Sequence, residues 1–119
     1  MKSYFTDAEL SCSCCGEYHF APEFLYMLNV IREECGFPLP VTSGYRCDKH
    51  PVEASKERKG AHNRGLAVDI GVRGERAHRL LEVALKHGVP RIGVNQRGDS
   101  RFIHLDIDSS LPTPTIWSY

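Results

Sequence analysis

The sequence predicts an α+β fold in which two main helices pack against a small, mainly antiparallel sheet. Three observations carry that expectation. Apolar residues recur at helical spacing between Pro22 and Gly36, and again between Glu75 and Gly88, while Leu66–Ile70 and Arg101–Asp108 alternate strictly. A chain of 119 residues has material for one core of ordinary size, so residues 1–119 are expected to form a single domain.

Thr6-Asp7-Ala8-Glu9 has the capping-box pattern and predicts a helical turn that opens the fold. Pro22 suits a first helical position. Phe24, Leu28, Ile31 and Cys35 follow on one face, and Gly36 can close the end, so a helix is predicted over 22–35. Pro38-Leu39-Pro40 stops it and extends the chain into Val41-Thr42-Ser43-Gly44. From Cys47 to Arg64 polar residues and the breakers Pro51 and Gly60 predict a long surface loop.

Leu66–Ile70 is expected to be a half-buried strand, with Leu66, Val68 and Ile70 inward and Ala67 and Asp69 on the opposite face. The second helix is predicted over 75–87, packing through Ala77, Leu80, Leu81, Ala84 and Leu85, with Gly88 as its C-cap. Arg91–Val94 and Arg101–Asp108, joined by a turn over 95–100, predict a hairpin. In the second of these strands His104, Asp106 and Asp108 share a face with Phe102. Leu111-Pro112-Thr113-Pro114 predicts irregular chain, and Ile116–Tyr119 a tail that docks by burying an aromatic ring.

Charge and cysteine content narrow the function classes. Fifteen basic residues balance fifteen acidic ones, which gives no field for collecting nucleic acid, and the short run Lys56–Lys59 reads as solvated loop. No apolar run is long enough to span a bilayer, and no export signal is visible at the N-terminus. Cys12, Cys14, Cys15, Cys35 and Cys47 are odd in number and do not read as a paired secreted framework. Reduced thiols are expected; a structural metal on Cys12, Cys15 and Cys47 is the alternative.

His62 enters the strand that carries Asp69, and His104 points away from the apolar face of a neighbouring strand. Neutral nitrogens and an anionic oxygen are the donor types of a zinc site, and three protein ligands leave a position for water. Spacing alone equally allows a loop histidine, a strand-end aspartate and a histidine on an exposed strand face.

Three ordered blocks, Ser43-Gly44-Tyr45-Arg46, His62 through Ile70, and Phe102-Ile103-His104-Leu105-Asp106, resemble the D-alanyl-D-alanine carboxypeptidase family of zinc peptidases. The likeness runs from Phe5 to Trp117-Ser118-Tyr119. It implies the core fold shared with the hedgehog signalling domain, zinc on His62, Asp69 and His104, and hydrolysis of a peptide bond in peptidoglycan stem peptides by a carboxypeptidase or endopeptidase. It also implies that Arg46 holds substrate and stabilises the oxyanion, assisted by Ser43. Where relatives carry a carboxylate or a histidine just before the last ligand, this chain has Arg101 and Phe102. Asp106, on the same strand face, is the nearest acid and is expected to orient His104 or to act as base, with orientation the favoured role. A monomer is expected, acting on the cell wall after release of the kind used in phage lysis. A zinc-stabilised binding module without turnover is the competing reading.

Overall fold

Five strands and two long helices build the molecule, and the computed structural model describes residues 3–54 and 60–119. Elements follow in the order α1 (Asp7–Leu10), α2 (Pro22–Cys35), β1 (Val41–Ser43), α3 (Pro51–Ala54), β2 (Ala67–Ile70), α4 (Gly74–Lys86), β3 (Arg91–Asn95), β4 (Phe102–Asp106) and β5 (Thr115–Ser118). The strands form one sheet in the order β1-β2-β4-β3-β5, antiparallel except for the parallel β3–β5 pair.

The local signals act as the residues dictate. Thr6 Oγ1 accepts from the Glu9 N–H at 3.2 Å while Glu9 Oε1 accepts from the Thr6 N–H at 2.8 Å, closing the capping box of α1. Helix α2 begins at Pro22 and ends at Gly36, whose φ of 77° is open to glycine at little cost. Phe24, Leu28 and Ile31 of α2 and Ala77, Leu80, Val83 and Ala84 of α4 meet Val68, Ile70, Ile92, Ile103 and Leu105 of the sheet in one core. Each large apolar side chain buried there contributes about 1.5–3 kcal/mol.

Several expectations need correction. Val83, not Leu85, completes the buried face of α4, and Leu85 is exposed. Every residue of β2 is buried, because the cleft described below closes over the face opposite the helices. The tail after Pro114 is a fifth strand: β5 pairs with β3 by backbone bonds, with Trp117 only half-buried. Its apolar alternation is too short to announce a strand before the partner edge is known. The long loop contains the short helix α3, and the basic run Lys56–Lys59 lies outside the described residues.

Register matters most for function. On the face away from the helices, Ser43, Asp69, His104, Gly93 and Trp117 stand in one row across five strands. The next row holds Asp106 opposite Arg91. Since side chains alternate along each strand, these rows share one face while Val68, Leu105 and Ile92 occupy the other.

Candidate metal centre

The β2–β4 register sets Asp69 directly opposite His104, and the chain entering β2 brings His62 over the same face. Asp69 Oδ1 lies 2.9 Å from His104 Nδ1 and 3.3 Å from His62 Nε2. The two imidazole rings meet edge to face at 5.1 Å. All three side chains are buried. One ligand atom from each lies within 4.8 Å of the others.

The outer nitrogen of each histidine is already engaged. His62 Nδ1 sits 2.8 Å from the Gly44 carbonyl, so it donates its proton there and leaves the Nε2 lone pair toward Asp69. His104 Nε2 lies 2.6 Å from Asp106 Oδ2, which directs its Nδ1 into the centre. This is how metal-binding histidines are fixed in one tautomer by their partners. Zinc bonds of about 2.0–2.2 Å in tetrahedral array hold neighbouring ligand atoms roughly 3.3–3.6 Å apart, so the observed cluster fits with a small outward movement of His104. Donor types and separations therefore suit a zinc ion.

Charge reinforces the arrangement. Burial works against ionisation of Asp69, yet when the His104 and His62 nitrogens that face it carry protons, their hydrogen bonds and charge overcome this and hold the carboxyl well below the ordinary carboxylate range; a metal would take the place of those protons. For His104, burial opposes the cation, and the Asp106 and Asp69 carboxylates outweigh it and raise the imidazole.

Arg46 enters from the loop after β1. Its Nε donates to Ser43 Oγ at 3.1 Å and one terminal nitrogen lies 3.5 Å from Asp69 Oδ2. Ser43 thus reaches the centre through Arg46. Asp106 is fully buried and held on both oxygens: Oδ2 faces His104, while Oδ1 pairs with Arg91 Nε at 2.8 Å and accepts from the Asp108 N–H at 3.1 Å. Arg91 also donates to the Pro112 carbonyl and lies 4.8 Å from the Trp117 ring centre. Sequence reasoning left out Arg91 and Trp117. Arg91 had a signal in the alternation of β3; Trp117 had none, because its place depends on the β3–β5 pairing.

These groups line a cleft of about 400 Å³, with Phe102, Trp117 and Tyr119 along one wall and Arg46 near the metal-ligand cluster. Trp117 packs where Gly93 has no side chain: a Cβ on Gly93 would come within 2.7 Å of the indole. The model of the peptidase M15 family matches residues 3–106, which takes in every residue of the cluster. The chain belongs to the peptidase M15 family. Peptidases of the M15 family are zinc enzymes that act on peptidoglycan peptides, and the buried His62, Asp69 and His104 group is consistent with their metal. Comparison with curated proteins and with solved structures returns no match. Among the described residues no helix is long and apolar enough to cross a membrane.

Proposed function

We propose that this M15 peptidase hydrolyses a peptide bond in the stem peptides of peptidoglycan, as a D,D-carboxypeptidase or a murein endopeptidase. The observation that carries the reading is the convergence of His62, Asp69 and His104 donor atoms in a cleft beside the Arg46 guanidinium. His62, Asp69 and His104 would hold zinc, which would supply Lewis-acid chemistry for activating water and polarising the scissile carbonyl.

The chain's own residues divide the remaining work. Gly44 and Asp106 keep His62 and His104 in the tautomers that offer a lone pair inward. Arg46, a permanently charged planar fork, takes the substrate's carbonyl or carboxylate and stabilises negative charge as it develops on oxygen. Ser43 sets the plane in which that fork is presented. The aromatic wall offers apolar surface to the aliphatic parts of a stem peptide. Asp106 is a poor proton acceptor for water, since both of its oxygens are engaged. We therefore assign that role to a loop carboxylate or to the substrate itself.

One observation favours a second reading, a cell-wall binding module that keeps zinc without turnover. Among the described residues the carboxylates lining the cleft are Asp69 and Asp106, and both have protein partners. Incubation with purified sacculi separates the readings: the peptidase releases new amino groups, whereas the module co-sediments without releasing any. Protein purified without a polyhistidine tag is expected to lose its cleft zinc when His62 and His104 are both replaced by alanine; zinc unchanged by that replacement would remove the metal assignment.

A further inference from the structure

Three sulfurs that play no part in the cleft are gathered elsewhere in the fold. Sγ atoms of Cys12, Cys15 and Cys47 lie within 4.8 Å of one another, with Cys12 and Cys47 buried and Cys15 at the surface. All of these cysteines are unpaired by disulfides. Two separate pieces of chain bring them together. Residues 12–17 make a tight turn in which the Cys12 N–H donates to the Glu17 carbonyl and the Gly16 N–H to the Cys12 carbonyl, each at 2.8 Å. Gly16 takes a φ of 75°, a value that favours glycine. Cys47 arrives on the loop after β1, anchored where the Tyr45 N–H donates to the Leu10 carbonyl at 2.9 Å.

Backbone N–H groups converge on one of the sulfurs. The Cys47 N–H donates to Cys12 Sγ at 3.3 Å, and the turn directs the N–H groups of Cys14 and Cys15 at the same atom. A soft dication at the centre would hold the three sulfurs as thiolates and offset two of their three negative charges.

We propose that Cys12, Cys15 and Cys47 bind a second zinc ion as thiolates, at a structural site separate from the His62 cleft. Soft sulfur donors on a C-x-x-C turn plus a distant cysteine select zinc among the common divalent ions, and the three thiol protons leave to solvent on binding. The fourth position falls to a rim neighbour: Cys14, whose thiol contacts that of Cys47, or His50, whose Nε2 lies 3.3 Å from Ser13 Oγ. The ion would tie the N-terminal turn to the residue next to Arg46, whose own N–H donates to the His62 carbonyl at 3.2 Å. It would thereby brace the loop that presents Arg46, a consequence that rests on the function proposed above, whereas the site itself does not.

Cobalt(II) reconstitution under reducing conditions tests the site. The His62 cluster contains no sulfur, so a sulfur-to-cobalt charge-transfer band reports the cysteine site alone. The band is expected in the wild type, unchanged in His62→Ala/His104→Ala, and absent from Cys12→Ser/Cys15→Ser. No band in the wild type, or a band that survives in Cys12→Ser/Cys15→Ser, overturns the proposal. A second measurement does not depend on the folding of the cysteine variant. In zinc-loaded His62→Ala/His104→Ala, alkylation mapped by mass spectrometry should spare Cys12, Cys15 and Cys47 until a chelator is added. Equal labelling with and without chelator, or a Cys12–Cys47 disulfide in freshly isolated protein, also overturns it.

Discussion

Replacing Asp106 by asparagine separates two roles that one carboxylate could have in this cleft. Its Oδ2 receives the His104 Nε2 proton at 2.6 Å, and its Oδ1 meets Arg91 Nε at 2.8 Å and the Asp108 N–H at 3.1 Å. Asparagine has one oxygen for the His104 and Asp108 donors and no charge to pair with Arg91. If the oxygen faces His104, its NH2 group opposes Arg91 and the Asp108 N–H. If it is turned the other way, His104 must accept at Nε2 and so presents Nδ1–H to the centre, the wrong tautomer for a ligand. Either orientation should weaken zinc by about 10–100-fold. Arg91 is left nearly buried without its counter-charge, which costs about 3 kcal/mol, the lower end of the range for a broken buried pair, because Pro112 and Trp117 still hold it. With an unfolding entropy of about 2.1 cal/mol/K per residue over 119 residues, that loss lowers Tm by about 12 °C. Competition with a fluorescent zinc chelator and a thermal melt measure the two effects. In Arg91→Met/Asp106→Asn most of the melting temperature should return while zinc stays weak. Turnover lowered by about 10²–10⁴-fold with zinc affinity intact would refute the orienting role and identify Asp106 as the base.

Arg46→Lys should keep zinc and fold but lose most of the hydrolysis of sacculi, because lysine cannot both meet Ser43 and present a planar fork; wild-type turnover would remove Arg46 from the chemistry. Gly93→Ala should cost about 1–3 kcal/mol by driving a methyl group into the indole, and should shift the emission of Trp117, the one tryptophan of the chain. An unchanged spectrum would mean that Trp117 does not rest on Gly93. Asp108 supplies a pH test. Burial raises its carboxyl, but hydrogen bonds from Ser110 and Arg64 outweigh this and depress it. Its stabilisation is therefore fully present above the unfolded value of about 3.9 and is lost as pH falls through the lower folded value. Asp108→Asn should flatten that acid limb in urea titrations, and an identical limb in both proteins would contradict the depressed value.

Much of the architecture was legible in the chain because its signals are local. Thr6 and Glu9 cap α1 with their own side chains, Pro22 and Gly36 bound α2, and alternation in Arg101–Asp108 sorts His104 and Asp106 from Ile103 and Leu105. The same alternation, with three ordered blocks, pointed to the family and to His62, Asp69 and His104 as a candidate metal set. Tertiary structure alone decided what depends on pairing between distant segments. Only the β2–β4 register puts Asp69 opposite His104, and only the β3–β4 register brings Arg91 to Asp106, so that both oxygens of that carboxylate have partners. The strand at Thr115–Ser118 was hidden for the same reason, since an edge strand exists through the backbone groups of its neighbour. The sulfur cluster shows the division most clearly: the sequence offers Cys12, Cys15 and Cys47 only as an alternative metal set beside reduced thiols, and folding of the intervening chain is what brings Cys47 to the other two.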